Sequence, residues 1–147
     1  MIKPHGSDTL NPLYVRDDNE RKALLAEAEK LPSVVVSSAA AANAVMLGAG
    51  YFNPLTGYMN LKDAMSVAEG MKTSSGLFWP TPIVNVLEDV SAIKDAKRIA
   101  LRDPNVAGNP IIAIQDVEAI DEAIDDQMKL MTEKVYRTVD PEHPGVK

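Results

Sequence analysis

Leu24, Leu25, Ala28 and Leu31 recur at three- and four-residue spacing through ERKALLAEAEKL, with Asp17 and Glu20 ahead of them as a capping-box-like pair and Pro32 behind. That is the period of a helix burying one face, bounded by residues that start and stop helices. Val34, Val35 and Val36 form a β-branched run that predicts a short strand. Ser37 and Ser38 then open an alanine-rich segment through Leu47, closed by Gly48 and Gly50, which predicts a closely packed helix. Asn60 and Asp63 cap a further amphipathic helix bearing Leu61, Ala64, Met65, Ala68 and Met71. Methionines at that spacing belong to a core far more often than to a cofactor box.

After the Thr73-Ser74-Ser75-Gly76 break the period shortens, and Ile83, Val84, Val86 and Leu87, behind Pro80-Thr81-Pro82, predict a strand. RIALR (98–102) and IIAIQDV (111–117) are two further apolar runs. The segment between them, 103–110, is dense in turn formers, so the pair predicts a β-hairpin. Ile120, Ala123, Ile124, Met128, Met131 and Val135 return to helical spacing. Helical and strand-rich blocks alternate without a βαβ rhythm, which predicts one α+β domain over residues 1–147: a small, mostly antiparallel sheet or barrel with added helices. There is no internal repeat and no low-complexity linker.

A chain of this length buries about 68–70% of its unfolded surface, enough for a self-sufficient core. Net charge is −6. Asp116, Glu118, Asp121, Glu122, Asp125 and Asp126 crowd one stretch without a Lys or Arg, a field that repels phosphate backbones and argues against a nucleic-acid partner. Those carboxylates suit the solvated start of a helix. Cysteine is absent, and no apolar run approaches the ~18 residues of a membrane span. A cytoplasmic protein with no membrane contact is expected.

The histidines, His5 and His143, sit beside prolines near the two ends of the chain. No Ser, Thr or Lys is set beside a base, and no glycine-rich phosphate loop is present. Gly48-Ala49-Gly50 follows a helical pattern instead of preceding one, as a C-cap does. The neighbours Asp17-Asp18, Glu88-Asp89 and Asp125-Asp126 point apart on any regular element, poor geometry for sharing a metal or a proton. Trp79 lacks the basic neighbours of a base-stacking platform and suits the edge of a core. The sequence therefore nominates no catalytic, cofactor-binding or metal-ligating residue.

Its most distinctive string is GYFNPLTGYM (50–59), whose glycines and proline build a shaped turn, with Gly57 expected at positive φ. With Pro4-His5-Gly6, FWPTPIV (78–84), IALRDP (99–104) and TVDPEHPGV (138–146), it resembles the N-terminal domain of ATP sulfurylases over nearly the whole chain and in the same order. Asn53 in place of the usual Ser, Tyr58 in place of Phe and Tyr136-Arg137 in place of Phe-Gly are mild departures. The resemblance implies a PUA-like β-barrel with added helices that scaffolds a catalytic α/β domain, whose motifs are missing here. The intact enzyme would join the α-phosphate of MgATP to sulfate, giving adenosine 5'-phosphosulfate and pyrophosphate, or run the reverse. By that resemblance MgATP belongs to the intact enzyme and no cofactor to this chain, which alone would be inactive. The implied partners are the catalytic domain and, in the intact enzyme, further copies in a homo-oligomer. The alternatives are a free-standing RNA-binding PUA-like module and a structural subunit docking on a separate catalytic chain. The tail from Val139, with no regular period, is expected to satisfy its backbone against a neighbour.

Overall fold

Caps decide where the helices begin. The computed structural model describes residues 2–146. Helix α1 (Asp18–Ala28) starts where the Asp17 carboxylate accepts from the backbone N–H groups of Asn19 and Glu20, and α2 (Ser38–Gly48) where Ser37 accepts from Ala40. Helix α3 (Leu61–Gly70) is capped by Asn60, which accepts from Asp63, and closes on Met71 in the left-handed region at φ 52°. Helix α4 spans Asp125–Tyr136. In α1, Ala28 is buried and Leu24 half-buried, whereas Leu25 is exposed, one position off the inward face.

Strands β1 (Ser33–Val35), β2 (Arg98–Arg102) and β3 (Ile111–Asp116) form a three-stranded sheet in the order β1-β2-β3. The expected hairpin is present: β2 and β3 pair antiparallel, Ala100 opposite Ile114, with a register shift between Leu101 and Arg102. Strand β1 pairs with β2 in parallel, Val34 opposite Leu101. The sheet is therefore mixed where a mostly antiparallel sheet or barrel is expected from the pattern, because β1 joins β2 in parallel, and it is not closed into the barrel that the resemblance implies, among the described residues.

No strand forms at 83–87. Pro80 and Pro82 have no N–H to give a ladder, and the segment's bond to Met59, whose N–H donates to the Ile83 carbonyl at 2.7 Å, leads to no paired strand. The helical period predicted from Ile120 is used only from Asp125 onward, and residues 119–124 are irregular.

The described residues divide into two compact units, and neither is continuous in sequence. The first comprises Met1–Tyr58 and Asn85–Glu118. Its core gathers Val36, Ala40, Ala41, Ile93, Ile99 and Leu101. Ile99, Ala100 and Leu101 are buried in succession, as in a central strand covered on both faces. The arginines at the two ends of β2 lead outward: Arg98 pairs with Glu27 and Asp116, and Arg102 with Glu29 at 3.2 Å. The second unit, Met59–Val84 and Ala119–Lys147, packs α3 against α4 and buries Ala64, Val67, Trp79, Ile83 and Met131. Val67, and not Met71, lies on the inward face, because Met71 has left the helix as its cap.

Candidate functional site

The turn at 50–59 is the most highly built loop of the chain, and Asn53 is its centre. Asn53 is buried, its Nδ2 donates to the Ser7 hydroxyl at 2.6 Å and the His5 carbonyl at 3.1 Å, and its Oδ1 accepts from the Asn11 N–H at 3.1 Å. Three bonds from one amide lash the N-terminal arm to the turn. A serine, with one hydroxyl, cannot make that set. Gly50, at φ +81°, lets Pro12 approach so closely that a Cβ would sit 3.3 Å from the Pro12 Cα. Gly57, by contrast, lies outside the left-handed region, and a Cβ there would meet nothing within 4 Å. The conformational demand falls on Gly50 and not on Gly57, as the proline-led reading of the turn had it.

Tyr58 closes the turn. Its hydroxyl donates to the Ala40 carbonyl at 2.6 Å, and burial of the phenol pushes its pKa up to about 12. A proton held that firmly is a structural donor, not a general acid.

The acidic run spreads over several elements. Asp116 ends β3 beside Arg98, and Asp125 and Asp126 occupy the first turn of α4. Asp121 serves another helix, accepting from the Leu61 N–H at 2.8 Å at the start of α3. Of the adjacent pairs, Asp17 caps α1 while Asp18 pairs with Arg21 at 2.8 Å. Asp89 accepts from the Ser91 N–H at 2.8 Å, a bond that holds its carboxyl below the usual range. No group of three or more metal-ligating side chains occurs among the described residues. The groove along α3 and α4, about 650 Å³, is lined by an unmatched set that includes Met65, Glu69, Asp121 and Gln127.

His143 stacks on Tyr136 at 5.3 Å between ring centroids, and its Nδ1 accepts from the Gly145 N–H at 3.2 Å. With the bonds from the Glu142 N–H to the Asp140 carboxylate and from the Val146 N–H to the His143 carbonyl, the tail satisfies several of its backbone N–H groups internally. Trp79 is 6% exposed, which removes it as a stacking platform.

This geometry holds a loop and an arm in place. The family description "PUA-like domain" matches residues 2–147. Among curated proteins, the chain is 63% identical over 146 residues to a sulfate adenylyltransferase of Alcanivorax borkumensis, 59% identical to one of Allochromatium vinosum, and 37% identical over 150 residues to one of Thiobacillus denitrificans. Those matches take in 99–100% of this chain but only 35–37% of each relative. The chain thus spans about a third of the length of the curated relatives it matches. A solved structure described as a hexameric APS kinase from Thiobacillus denitrificans superposes with a TM-score of 0.66 at 32% identity, covering 84% of this chain and 24% of that one.

Proposed function

Because the chain belongs to the PUA-like domain family, we propose that it works as one domain over residues 1–147, the N-terminal scaffold of a sulfate adenylyltransferase. The observation that carries this reading is 63% identity along the whole chain to a protein almost three times as long. A single family description running through both compact units supports treating them as one domain.

In the intact enzyme, sulfate attacks the α-phosphorus of MgATP, adenosine 5'-phosphosulfate forms and pyrophosphate leaves; the reverse runs through the same transition state. Such chemistry is dominated by positioning and by cationic or N–H groups aimed at phosphate oxygens. The two arginines of β2 do not suit MgATP. Arg98 is engaged by Glu27 and Asp116, and Arg102 by Glu29, Ser33 and the Asn109 carbonyl. Helices α1, α2 and α3 have capping side chains where a phosphate would sit. No step of the reaction is therefore assigned to residues of this chain, and the reacting groups belong to the catalytic partner. The hexameric structural neighbour supports a homo-oligomer for the intact form, and the lack of cysteine suits the cytoplasm.

The test compares the isolated chain with the same chain joined to the remaining two-thirds of the Alcanivorax borkumensis relative. Sulfate-dependent exchange of pyrophosphate into ATP is expected in the joined protein and at mock background in the isolated chain. Turnover by the isolated chain would falsify the scaffold reading.

A further inference from the structure

Leu31 to Leu61 contains no Asp, Glu, Lys or Arg, in a chain that is 24% charged. Part of this stretch faces solvent. On α2 and the turn after it, Val45 is 63% and Tyr51 75% exposed, although neither bears a polar group beyond one phenol. The N-terminal arm adds Leu10, Leu13 and Tyr14, at 57%, 39% and 52%. The arm meets the end of α2: the N–H groups of Leu13 and Tyr14 both donate to the Gly48 carbonyl, at 2.8 and 3.0 Å, and the Tyr51 N–H donates to the Met46 carbonyl at 3.0 Å. Charge returns at the margin, with Arg16 over the Tyr14 ring at 5.2 Å and Asp8, paired with Lys3, two residues before Leu10.

We infer that this face, the C-terminal half of α2 with Tyr51 and the arm from Leu10 to Tyr14, is where the catalytic remainder of the same polypeptide docks. The inference rests on the proposed function and deepens it by naming the surface. Clustered exposed apolar groups mark interaction sites, and aromatic side chains are enriched at their centres. The occupant follows from chemistry and length. A patch without charge matches a permanent neighbour, because lasting interfaces are the apolar ones and transient ones keep polar groups. The relatives carry about two-thirds of their length beyond what this chain matches. The surface is also preorganised, since Asn53 and the Gly48 carbonyl already hold the arm, so little ordering cost remains on docking. Leu25, exposed on α1, differs in setting, since that helix also carries Glu20, Arg21, Lys22 and Glu27.

Hydroxyl-radical footprinting of the isolated chain and of the joined protein tests this. Tyr51 and Leu13 are expected to label freely in the isolated chain and about tenfold less in the joined protein, with the protection kept on dilution to the monomer. Tyr51→Glu should lower the melting midpoint of the joined protein and leave that of the isolated chain unchanged. Equal labelling in an active joined protein overturns the docking face while leaving the scaffold reading intact. Protection already present in the isolated chain, or lost on dilution, assigns the face to a second copy and overturns the inference too, as does an equal Tyr51→Glu effect on both melting midpoints. A folded but inactive joined protein sinks the scaffold reading, and this inference with it.

Discussion

Asn53 and Tyr58 lie in one turn and serve it differently. The amide of Asn53 is spent on three partners in the arm, so Asn53→Ala leaves the Asn11 N–H and the His5 carbonyl without their bonds. A loss of about 2 kcal/mol is expected in urea unfolding. Asn53→Ser should recover only part of it. Asn53 reads as a mild departure in the sequence because nothing local announces partners so far along the chain; the hint is a polar amide in a turn whose one other polar side chain, apart from tyrosine hydroxyls, is Thr56. Tyr58 brings a pH dependence. Its folded pKa, about 12, lies above the ordinary value of 10.0, so its contribution is complete below pH 10 and fades as pH rises through about 12. Between those limits the native protein should lose more stability than Tyr58→Phe, measured as urea midpoints at successive pH values.

Elements whose signals are local were legible. Asp17, Ser37 and Asn60 each cap the helix their spacing predicted, and the turn formers of 103–110 do join β2 to β3. Signals that depend on a partner were not. Ile83 to Leu87 has the composition of a strand, but composition cannot say whether another strand will be there to receive it. Val34 was read as strand, yet no local feature indicates that its neighbour is Leu101 or that the pairing is parallel. The acidic run was half legible, with Asp125 and Asp126 at the start of α4 as expected and Asp121 committed instead to α3. Asp121→Ala should therefore destabilise α3 by about 0.5–1 kcal/mol, less at high salt, and hydrogen exchange should quicken first in the opening turn of α3.

For the molecule as a whole, charge sets what to expect of nucleic acid. Net charge is −6, the pI is about 4.9, and Trp79 is enclosed. Fluorescence anisotropy with a labelled single-stranded RNA at ~0.15 M salt should show no binding up to tens of micromolar, and a saturable rise would revive the RNA-binding alternative. The α+β class was readable from the alternation of periods, but whether its strands make a sheet or a barrel was not, and the barrel that the resemblance implied meets an open, mixed sheet. The two units take turns along the chain, 1–58 and 85–118 for one, 59–84 and 119–147 for the other. A ribosome delivers the chain from its N-terminus at roughly 5–20 residues per second. Strand β1 and helix α2 therefore emerge well before β2 and β3 exist to cover them, and α3 waits in the same way for α4. Neither half of the nascent chain can be finished early and set aside, and the uncharged stretch from Leu31 to Leu61 is the part that spends this interval exposed. During synthesis the same residues that suit a permanent neighbour are the ones a chaperone would meet first.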